Sequence, residues 1–271
     1  MRPVSAPVSF VISASLAIAS AALAYPGGTP DMQTDAAPYC ASCHASANAE
    51  MMTGMPAERA QKELAANKHV ALIRAGEGAY QSLSADEREL LAEHVRAVDA
   101  NTSVRVSAQP KVPINRELAV KVEVAGGAGP VVGVALVDTP QRWLARPAPG
   151  LGWVVAKDPQ ILGQDFQEQT EWLAKRPLSL LRNLAYVNVT GLRSDAVKSE
   201  WARAQVVWTL RAPSRPGKYP LVAALWYGTE KASPLGVVAD PMYGKRLRGG
   251  VAGHSGRILF STPITIEVTV K

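Results

Sequence analysis

The only two cysteines of this 271-residue chain have two residues between them and are followed at once by a histidine, in Cys40-Ala41-Ser42-Cys43-His44. That order is the pattern of covalent haem attachment. Two thiols add to the two vinyl groups of the porphyrin, and the adjoining imidazole reaches the iron from the same side. Three other chemistries use a close cysteine pair. A redox-active dithiol needs a strand before it and a helix N-terminus that lowers the thiol pKa, whereas the residues soon after the apolar N-terminus are Tyr25-Pro26-Gly27-Gly28-Thr29-Pro30. A structural zinc needs four ligands, and the motif supplies three, with His69 the next histidine along the chain. A disulfide across so short a loop gains little entropy and leaves His44 unexplained. The motif therefore predicts one covalent haem c, with Cys40 and Cys43 as tethers and His44 as the proximal iron ligand.

The elements that would position such a group are helical. In Leu83-Ser84-Ala85-Asp86-Glu87-Arg88-Glu89-Leu90-Leu91-Ala92-Glu93-His94-Val95, Ser84 and Glu87 have capping-box spacing, and Asp86 and Glu87 meet the positive end of the helix dipole. Leu90, Leu91, Val95 and Val98 recur as one buried face. Pro56 to Ile73 reads as an earlier helix with Leu64, Val70 and Ile73 as apolar contacts, and His69 on either face.

From about Asp31 to Ala100 this arrangement resembles the class I cytochromes c. The resemblance implies a small all-α haem domain whose last helix crosses near the first, with His94 packing where the family usually has an aromatic residue. It also implies a sixth iron ligand from a methionine in a Gly-x-Met-Pro loop before the last helix. The chain departs from the family there: the corresponding stretch is Gly76-Glu77-Gly78-Ala79-Tyr80-Gln81-Ser82-Leu83, with Tyr80 in the methionine's place. The only Gly-Met-Pro is Gly54-Met55-Pro56, eleven residues after His44. The sixth position thus stays open among Met55, Tyr80, His69 and a vacant site, with Met55 first in order; Met51, Met52 and Met55 could equally fill a core.

The N-terminus carries Arg2, then an apolar run from about Val8 to Leu23 that closes on Ala22-Leu23-Ala24. This reads as a secretory signal peptide over residues 1–24, cleaved near Ala24. No later stretch is long and apolar enough to span a membrane, so a periplasmic mature chain is expected. Charge then divides it. Residues 25–101 hold 6 Lys+Arg against 11 Asp+Glu, and residues 102–271 hold 22 against 12. The basic residues are scattered through β-like segments, with no basic helix or aromatic-basic stripe, which argues against nucleic acid as partner.

Residues 102–271 contain all six tryptophans and read as β. Leu118, Val120, Val122 and Val124 alternate with polar or small residues, and Gly126-Gly127-Ala128-Gly129-Pro130 breaks the pattern. Val131 to Val137, Ala204 to Leu210, Leu221 to Tyr227 and Ile264 to Val270 continue it. Arg215-Pro216-Gly217-Lys218-Tyr219-Pro220-Leu221 resembles the turn before a late strand of immunoglobulin-like and fibronectin-like domains, with Tyr219 as a tyrosine-corner residue. Arg142 to Asn183 and Asp240 to Gly256 read as long loops. No hydrolytic constellation appears, and His254 reads as a loop residue.

The expected architecture is a signal peptide (1–24), a small all-α cytochrome c-like haem domain (25–101) and an all-β antiparallel immunoglobulin-like sandwich (102–271). The expected function is single-electron transfer between periplasmic redox proteins. The alternatives are a haem enzyme or ligand sensor with an open sixth position, and a cytochrome subunit of a larger dehydrogenase complex.

Overall fold

The computed structural model describes residues 57–140, 146–170, 185–240, 244–249 and 255–270. The expected signal segment 1–24, the Cys40–His44 motif, Met55 and His254 lie outside the described residues.

Three helices come first: α1 (Ala57–Glu63), α2 (Ala65–Ala75) and α3 (Ala85–Asn101). The helix expected over Pro56 to Ile73 is interrupted at Leu64, whose backbone is extended (φ −62°, ψ 134°) and whose side chain is buried. Helix α2 ends at Gly76 in the left-handed conformation, and the Gly76 and Glu77 amides return to the carbonyls of Ile73 and Leu72. Helix α3 begins with the reciprocal capping box: Ser84 Oγ accepts from the Glu87 amide, and the Glu87 carboxylate accepts from the Ser84 amide.

Thirteen strands follow among the described residues. One sheet has the order β1 (Ser103–Ala108), β3 (Glu117–Ala125), β8 (Arg203–Arg211), with β5 (Val154–Val155) and β6 (Gln160–Leu162) sharing the far edge of β8. The other runs β2 (Lys111–Pro113), β13 (Ile264–Thr269), β9 (Gly217–Gly228), β4 (Ala128–Val137), β7 (Tyr186–Thr190), and β12 (Arg257–Phe260) also pairs with β9. Strands β10 (Val237–Asp240) and β11 (Gly244–Leu247) form a separate ribbon.

Alternation places the core. Strand β3 buries Leu118, Val120, Val122 and Val124, and β8 buries Ala204, Val206, Trp208 and Leu210 in matching register. These pack with the continuously buried run Leu221–Gly228 of β9 and with Val132, Val134 and Leu136 of β4. Two positions depart from the loops expected for 142–183: Trp153 is fully buried beside β5, and Ile161 is buried on β6. The Tyr219 hydroxyl donates to the Arg215 carbonyl four residues upstream at 2.9 Å, and the ring meets Trp153 edge-on.

The expected division into a small all-α, cytochrome c-like domain and an all-β antiparallel sandwich does not hold. The described residues form a mostly β, curled-sheet domain with few helices, and α3 meets the β region at the turns over 230–236 and through Val98. Among the described residues the helices' own apolar cluster holds Val70, Ile73, Tyr80, Leu83, Leu91, Ala92 and Val95, with Leu235 from the β region packed against it. Val98, at the end of α3, belongs instead to the core of the sheets. Among the described residues, the other contacts that join the helices to the β region are largely polar. The sheets are not wholly antiparallel either, since β2 and β13 run parallel.

The junction is tight at Gly126. It sits at φ +74°, and a Cβ there would lie 2.4 Å from the Asn101 carbonyl oxygen and 2.7 Å from Thr102 Cα.

Candidate functional site

Of the residues singled out from sequence, the structure brings two together, His69 and Tyr80. Helix α2 buries Ala65, His69, Val70 and Ile73 on one face, so helical spacing alone turns the imidazole inward. The Gly76 cap reverses the chain, and a 3-10 turn at Gly78–Tyr80 returns the phenol to the same spot. Between them stands Glu230, in the 3-10 turn Glu230–Ala232 that follows β9. Its Oε1 is 2.8 Å from His69 Nε2 and accepts from the Tyr80 hydroxyl at 2.5 Å. Glu230 and His69 are both fully buried, and Glu230 Oε2 has no hydrogen-bond partner among the described residues.

Behind His69 lies Arg257, the first residue of β12 and also fully buried. Its Nη2 is 3.2 Å from His69 Nδ1, and its Nε and Nη2 meet the Asp99 carboxylate at 3.1–3.2 Å. His69 thus presents Nε2 to Glu230 and Nδ1 to Arg257. Asp99, in the last turn of α3, would stand unfavourably at the negative end of the helix dipole. Arg257 and the Tyr227 hydroxyl, which donates to Asp99 at 2.9 Å, compensate it.

Burial would raise the Glu230 carboxyl, but the facing His69 imidazole, the Tyr80 hydrogen bond and the Arg257 charge outweigh it and hold the carboxyl below its ordinary 4.5. Burial and the Glu230 charge push the Tyr80 phenol well up, keeping it a neutral donor. The seal is close: a Cβ at Gly249 would fall 2.1 Å from Glu230 Oε1. Around the rim, Arg248 donates to the Ala79 carbonyl and to Ser82 Oγ, and His94 Nδ1 meets Ser233 Oγ at 2.8 Å.

The central members of the cluster are wholly buried, and their hydrogen bonds join the helical segment to Glu230 and to β12. Cys40, Cys43, His44 and Met55, the other predicted site residues, lie outside the described residues. Among those described, no group of three or more His, Cys, Asp or Glu is arranged to hold a metal ion, and no helix is long and apolar enough to cross a membrane.

Sequence reasoning missed Glu230, Arg257 and Asp99. Glu230 and Arg257 carried only a faint signal, each a single charge beside an apolar strand. No protein-family model matches the chain, and no curated protein matches it.

Proposed function

We propose that this chain is an exported c-type cytochrome that passes single electrons between periplasmic redox proteins. One observation carries the reading: the run Cys40-Ala41-Ser42-Cys43-His44, which holds the chain's only cysteines. The donor set suits the group. Two thiols at this spacing suit thioether attachment, and His44 suits an axial imidazole. Bound there, the haem supplies a one-electron couple between ferric and ferrous iron. The reading does not depend on an all-α haem domain, since attachment needs only the five-residue motif.

The surroundings of the two described rivals for the sixth position narrow the choice. His69 has both ring nitrogens in contact with protein groups, and Tyr80 is a neutral phenol donating to Glu230. Ligation by either would break a buried interaction, at a cost of order 1–3 kcal/mol. This favours Met55, whose thioether would raise the potential and suit electron transfer, or a vacant position. The same observation keeps a second reading alive, a haem enzyme or sensor that binds a small ligand at an open iron.

The test is the absorption spectrum of the mature protein, expressed with haem-maturation machinery and recorded oxidised, reduced, and reduced under carbon monoxide. Covalent haem with a reduced spectrum indifferent to carbon monoxide is the expected result, and Met55→Ala should then make it sensitive. A marked shift in the unaltered protein would favour the enzyme or sensor. Absence of covalent haem would overturn both and return the cysteines to dithiol or zinc chemistry.

A further inference from the structure

The 3-10 turn Glu230–Ala232 faces two ways. Glu230 enters the sealed cluster, and the next residue, Lys231, stands on a pocket of about 700 Å³. The pocket opens between the start of β4 at Ala128 and Gly129, the loop 192–200, and the segment 231–237. Its walls include Leu192, Val197, Pro234 and Val237, and three cations line it: Arg193, Lys198 and Lys231.

The cations differ in their partners. Lys198 is matched by Asp195, whose carboxylate lies 3.5 Å from its Nζ and also accepts from the Val197 and Lys198 amides. Arg193 is held at the backbone, where its amide donates to Gln164 Oε1 and its carbonyl accepts from Gln164 Nε2. Neither its guanidinium nor the Lys231 ammonium has a carboxylate at ion-pair distance among the described residues. The remaining acidic lining residue, Glu200, is likewise unpaired there. Partial burial, then the Arg193 charge, lowers the Lys231 pKa, so the two cations sense each other across a partly desolvated space. Two like charges beside an apolar wall suit a ligand with one negative end and an apolar body.

We propose that this pocket binds a small organic carboxylate, with its charge between Arg193 and Lys231 and its apolar body against Leu192, Val197, Pro234 and Val237. The site is independent of the haem reading.

The experiment uses the full chain and three probes, sodium benzoate, neutral benzamide and inorganic phosphate, followed by saturation-transfer NMR. Benzoate should bind saturably, and both benzamide and phosphate should bind at least about tenfold more weakly. Arg193→Gln and Lys231→Gln should each weaken benzoate by about tenfold, the scale of one charge-assisted hydrogen bond. Lys198→Gln should leave it nearly unchanged. Equal binding of benzamide would reduce the site to an apolar pocket, and equal binding of phosphate to bare charge; either overturns the proposal. So does no saturable binding of benzoate at tens of millimolar, or benzoate binding indifferent to both Gln variants. The comparison of probes needs no variant to fold.

Discussion

Glu230 is a sealed carboxylate whose Oε1 meets both the imidazole and the phenol, and whose Oε2 meets no partner among the described residues. Glu230→Gln keeps the shape but removes the negative charge that faces His69, Tyr80 and Arg257. At neutral pH this should lower stability by about 1–3 kcal/mol, read from urea unfolding. The sign with pH follows from the depressed pKa. A carboxyl held below 4.5 in the folded protein contributes stability that is present above that value and is lost as pH falls through the lower, folded value. The gap between Glu230→Gln and the unaltered protein should therefore shrink below about pH 4.5. A gap that stayed constant through that range would mean the charge of Glu230 contributes nothing, and the cluster would be held by shape alone.

At the scale of elements, the joint between α3 and the sheets is set by backbone proximity as much as by side chains. Thr102 Oγ1 donates to the Val98 carbonyl and accepts from the Gly127 amide, so the helix end is tied to the β3–β4 turn. Gly126 fits beneath this tie only because it lacks a Cβ. Gly126→Ala places a methyl against backbone atoms that cannot rotate away, and it adds the cost of a left-handed φ, about 1–2 kcal/mol by itself. We expect a loss of at least about 2 kcal/mol in urea unfolding. A loss below that of a typical surface substitution would show that the helix end shifts freely, contrary to the tie through Thr102.

Across the whole molecule, the helices and sheets share contacts that neither could satisfy alone. Without α2 and α3, Arg257 and Glu230 would lose Asp99, His69 and Tyr80, and removing one side of a buried charged pair costs about 3–5 kcal/mol. The two parts should unfold together. Far-ultraviolet circular dichroism follows the helices, and tryptophan fluorescence follows the sheets, where Trp208 and Trp226 are buried. Coincident urea transitions are expected; an earlier loss of helix would show that the cluster is too weak to couple them. Since Arg257 is fully buried, added salt should loosen this junction far less than it would a pair of exposed charged faces.

Local chemistry was legible in the amino-acid sequence. The alternation of Leu118 to Val124 set the inward face of β3, Ser84 with Glu87 marked the start of α3, and Tyr219 two residues after Gly217 marked the turn whose hydroxyl meets Arg215. The Cys40–His44 motif, on which the proposed haem rests, is likewise read from local spacing alone. Short strands such as β5, β6 and β12 were not legible. Two to four residues carry too little period to read, and their pairing with β8 and β9 comes from distant parts of the chain. The helices read as a domain because helical period says which face is buried, never against what. Only the tertiary structure showed that this face packs mainly between α2 and α3, with Leu235 of the β region against it. It also joined His69 to Glu230 and Arg257 across 161 and 188 residues, a separation at which a charged side chain in sequence looks the same whether it ends in solvent or in a sealed core.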